Sequence, residues 1–93
     1  MELKEKVVNW ELGDTVELMT SGDYKERFQA EYLQAKIRIE KLENMLVKLD
    51  AGTLGFEPTC DKLLLEDQLY YMREYFRVLR VRAEKEGIDI QQF

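Results

Sequence analysis

Between residues 23 and 50, Phe28, Tyr32, Ala35, Ile39, Leu42, Leu46 and Leu49 recur at alternating intervals of four and three. That spacing keeps one seam of a helix turned toward a partner. Further along, Leu65, Leu69, Met72, Phe76, Leu79 and Ala83 repeat the same spacing. Between the two stretches, the segment AGTLGFEPT gathers Gly52, Gly55 and the only proline, Pro58, which marks a connection. The pattern predicts a first helix from about Asp23 to Asp50, capped by Ser21 and ended by Gly52. A second starts from a cap at Thr59 or Asp61 and runs to Glu86, where Gly87 ends it. Roughly 27 residues give each rod a length of about 40 Å. Period-two alternation is missing, so the expected fold is all-α, an antiparallel two-helix hairpin whose seams meet. The expected organisation is an N-terminal segment, residues 1–22, followed by a hairpin domain, residues 23–93.

One seam per helix does not hide all the apolar surface. Leu64, Tyr71, Tyr75 and Val78 form a second stripe on the second rod, and Ala30, Leu33 and Ile37 lie off the seam of the first. Contiguous apolar patches of this kind mark interfaces. The N-terminal segment carries Leu3, Val7, Val8, Trp10, Leu12, Val16, Leu18 and Met19 and is expected to cover part of this surface as one or two short helices. Self-association is expected to cover the rest.

Composition narrows the chemistry. With 93 residues, 45% hydrophobic and 35% charged, the chain has the material for one small folded domain. Histidine is absent and Cys60 is the only cysteine, which removes the usual zinc ligand sets, an internal disulfide and any histidine-based triad. Cys60, at the expected start of the second helix, has no histidine to activate it and is read as a buried or capping-turn residue. The pair Glu40 and Glu43 sits on a charged helix face and reads as surface, not as a general acid and base. GTLGF lacks the spacing of a phosphate loop. No catalytic residue, metal or cofactor is therefore assigned. No apolar run is long enough to span a membrane, and the first residues carry no signal-peptide pattern, so the expectation is a cytoplasmic protein without a membrane partner.

The net charge of -5 disfavours binding of long nucleic acids, but its distribution leaves room for a smaller anion. Residues 23–50 and 60–87 each carry six basic and six acidic groups, and the excess acid lies outside the two rods. Arg73, Arg77 and Arg80 share one helical face with Arg82 nearby, and Arg38, Lys41 and Lys48 share a face of the first rod. Two readings stand. The stripes are solvated faces held by pairs such as Arg73 with Glu66 or Asp67 and Arg80 with Glu84. Alternatively, the guanidinium forks meet phosphate oxygens beside tyrosines Tyr24, Tyr32, Tyr70, Tyr71 and Tyr75, which can stack on a base.

The run DYKERFQAEYLQAKIRIEKLENML, the turn with FEPTC, and LLLEDQLYYMREYFRVLRVRAEKEGIDI together resemble small phage proteins. Over residues 19–90 the chain is similar to the helical hairpin of anti-CBASS and anti-Thoeris sponges, which sequester nucleotide signals of host immunity. The resemblance implies a homo-oligomer, with a hexamer as its expected form, in the cytoplasm of an infected bacterium. It would bind a cyclic di- or trinucleotide or a cyclic ADP-ribose type ligand between subunits without cleaving it. In such sponges an aromatic near the N-terminus and a lysine on the first long helix hold the nucleotide. Tyr24 and Lys36 match those positions, and Arg80 matches a basic position in LYYMREYFRVLR. The expected ligand set is thus Tyr24, Lys36, Arg73, Arg77 and Arg80. The rival reading is a structural or regulatory module in which the second apolar stripe docks another protein.

Overall fold

The structure, a computed structural model, describes residues 10–93; Leu3, Val7 and Val8 lie outside the described residues. Among these, every regular element is helical. A 3-10 turn, Leu12–Thr15, leads into a short helix α1, Val16–Met19. The long helices follow as α2, Tyr24–Ala51, and α3, Lys62–Glu86.

The boundaries of the long helices follow from their end chemistry. At the start of α2 the cap is Asp23, whose carboxylate accepts from the Lys25 amide at 3.0 Å, and not the expected Ser21. Ser21 stands two residues earlier: its hydroxyl accepts from the Asp23 amide at 3.0 Å and donates to Glu26. An aspartate at the N-cap also places its charge on the positive end of the helix dipole. Asp61 caps α3 by accepting from the Leu64 amide at 2.8 Å. Both helices end on a left-handed glycine, Gly52 at φ 76° and Gly87 at φ 68°. After each, the next residue's amide bonds back five residues, Thr53 to Lys48 at 2.9 Å and Ile88 to Ala83 at 2.9 Å. This closure satisfies the last carbonyls and fixes the direction in which the chain leaves the helix.

Cross-helix pairs run in opposite order along α2 and α3. Tyr24 meets Glu86, Glu31 meets Tyr75, Tyr32 stacks on Phe76, Glu43 meets Arg73 and Asp50 meets Lys62. The helices are therefore antiparallel, and the period-derived seams face each other. Phe28, Tyr32, Ala35, Ile39 and Leu46 of α2 are buried, as are Leu69, Leu79 and Ala83 of α3. Leu42, Leu49, Leu65, Met72 and Phe76 pack half-buried beside them. Dispersion and removal of apolar surface from water hold this seam.

The off-seam residues of α2 have a cover of their own. Ala30, Leu33 and Ile37 are buried, with Leu33 only 1% exposed. Leu33 and Ile37 belong to a core cluster that includes Ile88 and Phe93, with Trp10, Leu12, Leu18 and Ile90 packed against it. Both the segment before α2 and the segment after α3 fold onto this side. Thr15 is wholly buried there and fully bonded: its hydroxyl donates to the Leu12 carbonyl at 2.7 Å and accepts from Gln34 at 2.8 Å. The stripe on α3 has no such cover among the described residues. Leu64 is 57% and Tyr71 69% exposed, and Leu63, Tyr70, Tyr75 and Val78 are exposed beside them.

Candidate ligand cleft

Where the second half of α3 passes the first half of α2, the tail after Gly87 comes back alongside and leaves an open cleft of about 860 Å³. That volume falls in the range of small-molecule sites. Tyr32 and Lys36 contribute from α2, Arg77, Arg80, Val81 and Glu84 from α3, and Ile90, Gln91 and Phe93 from the tail. The spacing explains the grouping. Tyr32 and Lys36 are one turn apart on one face of α2, and Arg77, Arg80, Val81 and Glu84 share one face over two turns of α3. Three side-chain cations and one side-chain carboxylate thus share a space lined by two aromatic residues.

Each wall is held in place by packing outside the cleft. Tyr32 stacks on Phe76 with ring centroids 4.8 Å apart at 24°. Burial pushes its hydroxyl above the ordinary tyrosine range, Glu40 adds to the rise, and the nearby Arg80 charge opposes it. The phenol therefore stays protonated and can donate to an acceptor in the cleft. Phe93 is buried against Trp10, edge-on with centroids 5.5 Å apart. The Lys36 ammonium donates to the main-chain oxygen of Phe93. Arg77 has its ion pair one turn away, with Glu74 at 3.6 Å on a mostly exposed surface.

Of the five expected ligand residues, the fold brings Lys36, Arg77 and Arg80 together in this cleft. It places the other two elsewhere. Tyr24 lies twelve residues before Lys36, about 18 Å along the helix axis, in a clasp between the ends of α2 and α3. There its hydroxyl donates to Glu86 at 2.7 Å and accepts from Arg82 at 2.6 Å. Arg82 also pairs with Glu86 at 2.9 Å and lies over the Phe28 ring, 4.9 Å from its centroid. Bonds from Tyr24 and Arg82 hold the Glu86 carboxyl below the usual range. Arg73 reaches across the seam to Glu43 instead of pairing with Glu66 or Asp67 on its own helix. It borders a smaller groove with Glu43, Asp50 and Glu66.

The sequence names Tyr32 among the tyrosines able to stack on a base but leaves it out of the ligand set, and it does not single out Phe93, which lines the cleft with Val81, Ile90 and Gln91. Tyr32 was absorbed into the seam, where its ring does pack, and Phe93 sits in the segment IDIQQF, which has no helical period. The apolar Ile88 directly after the helix-ending Gly87 was the available signal, since a residue in that position commonly packs back on the helix.

The fold and the cleft define a small all-helical protein with a basic, aromatic-walled recess. The Sequestin family model matches residues 22–85, which cover α2, the connection and nearly all of α3, and the chain belongs to that family. Membership implies a role in sequestering a small molecule without converting it. No curated protein and no solved structure matches the chain. No helix among the described residues is long and apolar enough to cross a membrane.

Proposed function

We propose that the protein is a phage anti-defence sponge that sequesters a cyclic nucleotide signal of host immunity in the cleft between α2, α3 and the tail. The observation that carries this reading is the convergence of Lys36, Arg77 and Arg80 from two helices onto one open space beside Tyr32 and Phe93. Cations meet the phosphates of a cyclic di- or trinucleotide or a cyclic ADP-ribose type ligand, and the aromatic walls flank its bases. Glu84 supplies the one side-chain carboxylate of the cleft, an acceptor for base N–H groups and for ribose hydroxyls. Binding leaves the ligand intact. In an infected bacterial cytoplasm such binding lowers the free concentration of the signal. Tyr24 and Arg73 lie outside the cleft of one chain, and they reach a ligand only where a second copy brings its own clasp or groove to it.

That second copy is part of the proposal. The face of α3 that the described residues leave exposed, with Leu64, Tyr71, Tyr75 and Val78, is the surface on which the chain self-associates, up to a hexamer. The same face supports a second reading, a helical module that docks a different protein. Incubation with a panel of cyclic dinucleotides, cyclic trinucleotides and cyclic ADP-ribose isomers, followed by native mass spectrometry, separates the two. Sequestration predicts a multimer carrying a panel member that is recovered chemically unchanged after denaturation. A ligand-free protein across the whole panel contradicts sequestration and leaves the docking module; an altered ligand points to an enzyme.

A further inference from the structure

Glu84 is the side chain of the cleft that an anion site does not call for. It follows Arg77 and Arg80 at intervals that keep all three on one face of α3, and with Lys36 of α2 they line the same space. The spacing by four allows Glu84 to pair with Arg80 and so to cancel its charge. Among the described residues neither enters an ion pair, whereas Arg77 holds Glu74 and Arg82 holds Glu86. The Glu84 carboxylate is thus an open acceptor in the cleft, and toward the phosphates of a ligand it is repulsive. It favours binding only where the ligand brings donors to it.

Of the four RNA bases, guanine alone presents two adjacent N–H donors on its pairing edge, N1–H and the N2 amine, which a carboxylate accepts two-pronged. Adenine and cytosine set an amine beside a ring-nitrogen acceptor, which a carboxylate repels, and uracil sets a single N–H between two carbonyls. Arg77 and Glu84 stand two turns apart, about 10 Å along α3, which leaves room for a phosphate at one end of the row and a base edge at the other. We infer that Glu84 reads the base, and that the cleft selects a cyclic nucleotide carrying guanine over one carrying adenine alone. The inference rests on the reading of the cleft as a nucleotide site and names the base that this reading leaves open.

The test is calorimetry on the full chain with cyclic di-GMP, cyclic GMP-AMP, cyclic di-AMP, cyclic tri-AMP and cyclic ADP-ribose, for wild type, Glu84→Gln and Glu74→Gln. Wild type is expected to bind the guanine-bearing members about tenfold more tightly than cyclic di-AMP, the scale of one hydrogen bond to a charged group. Glu84→Gln removes the charge and turns one acceptor into a donor. It is expected to weaken cyclic di-GMP about tenfold and to strengthen cyclic di-AMP, because an amide matches the donor and acceptor that adenine sets side by side. The sign for cyclic di-GMP is decisive, since a carboxylate that acts by charge alone predicts tighter binding of both ligands after Glu84→Gln. Glu74→Gln takes the same charge from α3 outside the cleft and is expected to keep the wild-type preference; an equal shift of preference in both variants overturns the inference. Unchanged or tighter binding of cyclic di-GMP by Glu84→Gln overturns it as well and leaves sequestration standing. So does a guanine-free member that wild type binds as tightly as cyclic di-GMP. No binding of any of the five ligands overturns both.

Discussion

Arg73 and Arg77 stand one turn apart on α3 and serve different surroundings: Arg73 bonds Glu43 across the seam, while Arg77 borders the cleft. A stripe in the sequence fixes a face of the helix, but the partner helix decides what each residue on that face meets. Tyr75 shows the same dependence. Its hydroxyl donates to Glu31 of α2, and partial burial, followed by that bond and the Glu31 charge, raises its pKa from 10.0 to about 12. A raised tyrosine pKa contributes stability that is complete below pH 10 and is lost as pH rises toward about 12. Tyr75→Phe is therefore expected to show a smaller fall in melting temperature than wild type between those two pH values. Equal alkaline losses in both proteins would contradict the Tyr75–Glu31 contact. At the acid end the clasp behaves in the opposite sense. The lowered Glu86 pKa means that its contribution is present above the ordinary glutamate range and is lost as pH falls through the lowered value.

At the scale of elements, the two long helices were legible because their contact repeats: a seam spaced by four and three survives small errors in any one position. Leu79, only 1% exposed at the centre of the seam, tests this directly. Leu79→Asp would bury an unpaired carboxylate and is expected to abolish the cooperative melt seen by circular dichroism, and an unchanged melt would mean that the seam is misassigned. The ends of the helices depend on single residues. Gly52 has open space around the position of an added Cβ and a left-handed backbone, so Gly52→Ala carries a backbone cost alone, about 1 kcal/mol in chemical denaturation. Gly52→Asn is expected to lose less. The segments that cover Leu33 and Ile37 were less legible. IDIQQF has three apolar residues without a period, and the four-residue α1 is too short to show one, so both are placed by what they cover. Leu33→Ala, in the layer under Trp10, Leu12 and Leu18, is expected to cost about 2–5 kcal/mol.

For the whole molecule, the pattern marked too much apolar surface for a hairpin, and the fold divides that excess in two. The α2 side is covered by residues 10–18 and by the segment after Gly87. The α3 side is left open by the described residues, and its cover is expected to be a second copy. Sedimentation at micromolar concentration is expected to show a species heavier than the 11.1 kDa chain, shifted toward the monomer by Tyr71→Asp. A single 11.1 kDa species in wild type would contradict self-association. The cleft itself was legible in part. Lys36 and Arg80 were named through resemblance and Arg77 through its stripe, but only the crossing of α2 with α3 and the return of the tail put them around one space. The central claim is that this space holds an anionic nucleotide, and calorimetry on wild type, Lys36→Ala and Arg80→Ala, with the panel member that wild type retains, tests it most directly. The account predicts that each substitution weakens binding by about 1.5–3 kcal/mol, the worth of a hydrogen bond to a charged group, while the melting temperature stays within a few degrees of wild type. Unchanged affinity in both variants would place the ligand elsewhere and contradict the account.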